Sequence, residues 1–544
     1  MLLLLLLCTA FFCRHALALS NTIDLGYARY RGKTLENGVM LWAGMRYAKS
    51  PSRANGLRFA APQDPTDQPG ISDATSFGPL CIGSSSELTA EFGGAHSEDC
   101  LFINVFAPAQ ATTKSALPVY VFIQGGGFVM DANANYNGAD LISAANNDII
   151  VVNFNYRVGP YGFLAGSEIV ANEAMSLNNG LKDQRQALKW VQEHIVKFGG
   201  NPGHVTLGGA SAGGGSVVMQ LTAYGGRDDK LFHAAAAESA AFPPLRDVPS
   251  SQWQYDLLLN QTGCADLACM ATLPATTFQK AVRAVNKPFP GAKNPPIFFW
   301  NPTLDHDFIQ DFTFNEIKAG HFVKVPVIFG DVTNEGIIFT PRDISSETAA
   351  SQFVADQFPG IKWSDVTKVW NVSTAQSDPH WRQTAADIYG HIRYNCPVLN
   401  LSSAYANDKS ATPVWVYRWN VGAATHVGEL GSIWNNGTSE ASVFVQAYWA
   451  SFIRSYDPNK HVADYLATGG PAAKKLVSPH WEDFGTGDGT RMVFSDGNNV
   501  GMQAVPQLLR TRCDVITGMG LVLRHYEWNH YERYKQHEHD GTYA

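Results

Sequence analysis

The chain has 544 residues, 45% of them hydrophobic and only 16% charged, with a formal net charge of −8. That apolar share supports a large buried core and excludes a disordered chain. The acidic balance lacks the basic footprint that nucleic acid requires, so no nucleic-acid partner is expected.

Residues 1–18 read as a secretory signal. An apolar stretch opens at Leu2 and is too short to span a bilayer, and Ala16-Leu17-Ala18 offers a small-x-small cleavage motif. The first residues carry no Lys or Arg, so the amino terminus supplies the only positive charge there. Cleavage near Ala18 and export are expected, with no integral membrane segment further on. Residues 19–525 then form one catalytic domain, and 526–544 form a polar tail that is neither a lipid-anchor signal nor an ER-retention tetrapeptide. Removing the signal removes Cys8 and Cys13 and leaves Cys81, Cys100, Cys264, Cys269, Cys396 and Cys513. An even number of cysteines in an exported chain reads as disulfides. Proximity pairs Cys81 with Cys100 and Cys264 with Cys269, which leaves Cys396 for Cys513. Zinc ligation would need paired C-x-x-C spacing, which is absent. Asn260, Asn371, Asn400 and Asn436 open N-x-Ser/Thr sequons, as an exported glycoprotein would carry.

In chain order, residues 27–31 and 38–47 alternate loosely as short strands, and a Pro/Gly-rich connection follows over 61–70. Leu101, Ile103 and Val105 suggest a strand next to Cys100. Residues 118–124 and 148–154 are near-continuous apolar runs, as expected of strands buried on both faces. Residues 181–198 are predicted as a helix, because Leu181, Leu188, Val191, Ile195 and Phe198 recur on one face and Gly199-Gly200 ends the run. A strand follows, then the sharp turn Gly209-Ala210-Ser211-Ala212-Gly213, then another helix. Further core strands are expected over 231–238, 325–329 and 414–419, and helices over 381–408 and 441–455. Residues 250–320 read as an irregular, more helical cap. Helices alternating with buried strands predict an α/β fold with a mostly parallel central sheet.

Gly209–Gly213 matches G-x-S-x-G, the pattern that puts a serine on a tight strand-to-helix turn where a base can reach it. Alone, the pentapeptide is as readily a glycine-rich turn. Acyl transfer also needs oxyanion donors and a base oriented by an acid. Gly125-Gly126-Gly127-Phe128 follows a buried strand and suits backbone donors, with Gln124 where a histidine often stands. Asp331 and Glu335 both lie after the strand at 325–329, so either qualifies as the acid. Among many histidines, His426 follows the strand at 414–419.

Over about residues 25–515 the chain resembles the type-B carboxylesterase family, which includes cholinesterases, fungal lipases and secreted esterases. The resemblance rests on six segments in the family's order. These are Glu98-Asp99-Cys100-Leu101-Phe102-Ile103-Asn104-Val105, the glycine loop at 125–128, Asn155-Tyr156-Arg157, Phe198-Gly199-Gly200-Asn201-Pro202, the acid loop at 330–336, and Thr425-His426-Val427-Gly428-Glu429. It implies an α/β-hydrolase fold with Ser211 as nucleophile, Glu335 rather than Asp331 as acid, and His426 as base. Gly126, Gly127 and Ala212 are the implied oxyanion donors. Ser239 resembles a serine the family keeps near the acid, though a packing role fits equally. The implied activity is hydrolysis of a small ester, with no metal or organic cofactor. Alternatives are a lipase or sterol esterase, acyl transfer on a secondary metabolite, and a catalytically silent binding protein of the same fold. The last is disfavoured because Ser211, Glu335 and His426 are all present. Two departures from the family pattern stand out. Ala210 replaces the carboxylate many members carry before the nucleophile. The Cys81–Cys100 loop is short, with Phe92 its only aromatic, which argues against an interfacial lid and against choline recognition.

Overall fold

In the computed structural model the described residues are 18–88, 95–132, 135–285, 287–370, 380–410, 412–469, 473–487, 489–497 and 499–518. Residues 1–17 of the expected signal, Phe92, Asn371 and the expected tail at 526–544 lie outside them.

The architecture is a central sheet of eleven strands. In chain order they are β1 (Lys33–Thr34), β2 (Val39–Arg46), β3 (Phe102–Pro108), β4 (Leu117–Ile123), β5 (Ile150–Phe154), β6 (Gly200–Ala210), β7 (Ala234–Glu238), β8 (Val327–Val332), β9 (Val414–Asn420), β10 (Thr490–Ser495) and β11 (Asn499–Ala504). Across the sheet they run β11-β10-β9-β8-β7-β6-β4-β5-β3-β2-β1. All pairs from β10 to β5 are parallel, and the antiparallel pairs are confined to the two margins. The predicted mostly parallel sheet is therefore what forms.

Burial on both faces explains the continuous apolar runs. In β4, Val119, Val121 and Ile123 join the core on one face, and Tyr120 and Phe122 join the core on the other. Side chains alternate across a strand, so a strand covered on both sides has no polar phase. β7 shows the same logic with small residues: four consecutive buried alanines precede Glu238. Leu231 and Phe232, which the sequence adds to this strand, lie before it.

The helix predicted at 181–198 is α1 (Asn179–His194) followed by a 3-10 turn, Ile195–Phe198, and Gly199 ends it with φ of 86°. After β6 comes α2 (Ala212–Gly226). The helix expected at 441–455 is α3 (Glu440–Ser455), capped by the Ser439 hydroxyl, which accepts from Ser442 N–H. The cap region forms helices Val248–Thr262, Leu267–Thr272, Ala275–Ala284 and Thr313–Ala319. The buried Arg58 ties it to the body, donating to the carbonyls of Met270 (2.9 Å) and Leu273 (2.7 Å) and pairing with Glu98 (2.5 Å).

Disulfides join Cys81 to Cys100 and Cys264 to Cys269, as proximity predicted, and the remaining Cys396 to Cys513. Closing the Cys81–Cys100 loop contributes about 3 kcal/mol by restricting the unfolded chain. Among the described residues, no helix is long and apolar enough to cross a membrane.

Candidate active site

Four strand ends, those of β4, β6, β8 and β9, meet at the site. β6 pairs with β7 through Ala210 and Glu238, and the chain then turns sharply at Ser211 (φ 58°, ψ −122°) into α2. This backbone is strained for any residue with a Cβ and persists because the surroundings hold it. Ser211 N–H donates to the Glu238 carbonyl, and the Ser211 carbonyl accepts from Ala241 N–H and Gly215 N–H, each at 2.9 Å. The glycine after the turn is obligatory on steric grounds: a Cβ on Gly213 would fall 2.0 Å from the Ile123 carbonyl oxygen. The G-x-S-x-G spacing thus reflects how closely the elbow packs on β4.

The loop after β4 lies against the elbow. A Cβ on Gly125 would stand 3.0 Å from Ser211 Cβ. Gly126 (φ 113°) and Gly127 (φ 62°) follow, and a Cβ on either would meet the Met130 carbonyl or the Phe298 ring at about 2 Å. The loop is pinned from the far side. Asp131 accepts from Cys81 N–H at 2.7 Å and from the Gln124 side chain, and Ser84 N–H donates to the Val129 carbonyl at 2.8 Å. The disulfide-closed loop therefore braces the glycine loop, and Gln124 has a bracing role where a histidine often stands.

β8 and β9, parallel neighbours, present the acid and histidine loops. Asn334 binds them together, donating its N–H to the Ala424 carbonyl and its side-chain amide to the Ala423 carbonyl, both at 2.8 Å. The structure brings three of the expected residues into one line. His426 Nε2 is 2.8 Å from Ser211 Oγ, and His426 Nδ1 is 2.5 Å from Glu335 Oε2. Glu335 is 1% exposed, and its other oxygen accepts from Val332 N–H at 2.9 Å. The Tyr394 ring, 4.4 Å from the imidazole, and the Phe339 ring, at 5.1 Å, wall it in. In a hydrogen-bonded line of this kind the carboxylate holds the proton on Nδ1, which leaves Nε2 free to accept from the serine hydroxyl.

Asp331, the other carboxylate the sequence left open, is committed elsewhere. Arg418 grips it with two bonds of 2.8 and 2.7 Å, Asn395 donates to it at 3.0 Å, and Arg491 lies 3.6 Å away. Burial pushes its carboxyl up, but the two guanidinium groups outweigh burial and hold it below the usual carboxylate range. The Ser239 hydroxyl accepts from Val427 N–H of the histidine loop at 3.4 Å, and its N–H donates to the Gly330 carbonyl of β8 at 2.9 Å.

Two buried carboxyls near the site escaped sequence reasoning. Glu429 accepts from the Tyr417 hydroxyl at 2.6 Å and is pushed up to about 7 by burial. Glu238, 3.2 Å from the Tyr120 hydroxyl, is raised well above the normal range by burial and by the charge of Glu429. A glutamate ending a buried alanine strand was the available signal for Glu238.

An eleven-stranded, mostly parallel sheet with a serine elbow on a central strand defines an α/β-hydrolase. Residues 20–514 match the family model described as "Carboxylesterase family". The chain belongs to the carboxylesterase family and is a carboxylic ester hydrolase. It is 31% identical over 475 residues to the para-nitrobenzyl esterase of Bacillus subtilis, covering 81% of this chain and 91% of that protein. It is 26% identical to carboxylesterase patB of Penicillium expansum, over 90% of this chain and 94% of that one. The crystal structure of Aspergillus niger EstA superposes with a TM-score of 0.84 at 34% identity, covering 93% of this chain and 99% of that chain.

Proposed function

We propose that the chain is an exported serine esterase working through an acyl-enzyme on Ser211. Its carrying observation is the unbroken line from Ser211 Oγ through the His426 ring to Glu335, at 2.8 and 2.5 Å. Ser211 Oγ bonds to the ester carbonyl carbon as His426 Nε2 takes the hydroxyl proton. The carbonyl π electrons move onto oxygen, and the N–H groups of Gly126, Gly127 and Ala212 hold that oxyanion. Re-forming the carbonyl breaks the ester C–O bond, and His426 passes its proton to the departing alcohol. Water repeats the sequence on the acyl-serine and releases the acid. Glu335 keeps the imidazole tautomer and stabilises its cation.

An apolar cavity of about 250 Å³, lined by Phe242, Leu245, Phe312, Phe314 and Phe358, begins one residue beyond Ala241, which bonds to the Ser211 carbonyl. It suits an apolar acyl chain and is the observation that favours the second reading, a lipase. With p-nitrophenyl esters of increasing acyl length, kcat/KM is expected to peak at short chains, with stoichiometric labelling by a fluorophosphonate. A rise in rate above the solubility limit of a long-chain ester would establish the lipase instead.

Export is proposed with cleavage after Ala18, leaving residues 19–525 as one catalytic domain with a polar tail. Asn260 and Asn436 are exposed, whereas Asn400 lies half-buried on a helix, donating to Thr517 Oγ1 at 2.7 Å, with Ser402 of its sequon fully buried. Peptide mapping after secretion from a eukaryotic host should find Leu19 at the amino terminus. Glycans should be present at Asn260 and Asn436 and absent at Asn400, and a glycan on Asn400 would contradict the proposal.

A further inference from the structure

Arg393 lies in a single turn of π-helix, His391–Asn395, a local irregularity that often marks functional sites. It is 4% exposed, its Nε and Nη2 are buried without a hydrogen-bond partner, and among the described residues no carboxylate pairs with it. Most other arginines of the core have a carboxylate, Arg58 with Glu98, Arg157 with Asp183, Arg185 with Asp229 and Arg418 with Asp331, and even Arg491, whose Nε and Nη1 also lack hydrogen bonds, keeps Asp331 at 3.6 Å as a counter-charge. The Tyr394 hydroxyl lies within reach of the guanidinium and Tyr389 feels its charge, but burial raises both phenols, so each stays neutral and neither supplies a counter-charge.

The guanidinium sits behind a ring that borders the proposed oxyanion loop. Its Cζ lies 4.7 Å from the centre of the Phe298 ring. Phe298 is the ring packed against Gly127 of the proposed oxyanion loop, and it stands 5.7 Å from Phe339, which in turn touches His426. Phe298 and Phe339 are only half-buried. The backbone is held as closely: Phe242 N–H donates to the Arg393 carbonyl at 3.0 Å, one residue after Ala241 reaches Ser211. A ring face attracts a cation but accepts none of its N–H donors in the plane of the guanidinium. A buried guanidinium left in this state is costly unless an anion completes it. The planar fork of arginine matches a carboxylate.

We propose that Arg393 binds a carboxylate carried by the substrate, so that the preferred substrates are esters bearing a second, free carboxylate group. The proposal rests on the serine-esterase reading above and specifies its substrate class.

Two matched pairs test it, followed by acid release at neutral pH. Monoethyl adipate against ethyl hexanoate places the carboxylate on the acyl part. The acetate ester of 4-hydroxybenzoate against phenyl acetate places it on the alcohol part. In at least one pair the wild type should favour the anionic ester in kcat/KM. Arg393→Met should lower that anionic-to-neutral ratio by about tenfold or more, the scale of one charge-assisted hydrogen bond, and Arg393→Lys should lower it far less. Preference for the neutral member of both pairs, or an Arg393→Met ratio equal to that of the wild type, would overturn the proposal. If the methionine variant does not fold, product inhibition of the wild type decides. Adipate should inhibit better than hexanoate, or 4-hydroxybenzoate better than phenol, and no difference in either pair would overturn it. Should no member of either pair be hydrolysed and no fluorophosphonate label the protein, the esterase reading itself fails.

Discussion

Replacing Ser211 by alanine is expected to lower kcat by about 10⁶-fold, the scale at which a serine hydrolase loses its nucleophile. The change removes one oxygen from a half-exposed side chain and leaves the elbow intact, because the elbow's bonds are made by main-chain atoms. Ser211 N–H, its carbonyl, Ala241 and Gly215 are all untouched by the substitution. Alanine also tolerates φ of 58° no worse than serine, since both carry a Cβ. The melting temperature should therefore stay within a degree or two of the wild type while p-nitrophenyl ester hydrolysis and fluorophosphonate labelling disappear. Turnover within tenfold of wild type in the alanine variant would remove Ser211 from the mechanism.

Glu335→Gln should cost about 10⁴-fold in kcat with the fold intact. Glu335 Oε1 accepts from Val332 N–H, so the glutamine oxygen takes that position and its NH₂ turns toward His426 Nδ1. Nδ1 must then accept, the ring proton moves to Nε2, and the nitrogen facing Ser211 can no longer take the hydroxyl proton. Asp331→Asn provides the contrast. It leaves Arg418 and Arg491 without their counter-charge and should destabilise the protein by about 3–5 kcal/mol. The folded fraction should keep its turnover. Measuring kcat against titrated active sites alongside thermal unfolding separates the two effects. A mild Glu335→Gln phenotype together with a severe loss of turnover in folded Asp331→Asn would exchange their roles.

The strands that carry the site were legible because both faces of the sheet are covered. β4 and β5 read as near-continuous apolar runs, and α1 read as a helix because its apolar stripe faces one side only. Less of the periphery was legible. The β10–β11 hairpin was missed: β11 has no fully buried residue, so its composition follows solvent rather than the core. The helices Glu347–Gln357 and Trp363–Trp370 were missed as well. Two disulfides followed from proximity along the chain, and Cys396–Cys513, 117 residues apart, from what then remained.

Motif order alone could name a serine, a histidine loop and an acid loop, because the elbow and the glycine loop need small residues at set spacings. It could not choose between Asp331 and Glu335 from residue type, since two carboxylates four positions apart differ only in what folds against them. The resemblance to the carboxylesterase family pointed to Glu335, and packing is in keeping with it, giving Asp331 to Arg418 and Glu335 to His426. Packing also decided which ionisable groups lie buried. Glu429 and Arg393 look like ordinary surface residues in the chain. Each acquires its character from the side chain that folds against it: Tyr417 of β9 for the one, and Phe298 of the cap region for the other. Local spacing encodes the turns and strand runs, because those depend on backbone clashes and burial period. Desolvation and charge pairing depend on contacts across the fold, and only the folded chain contains them.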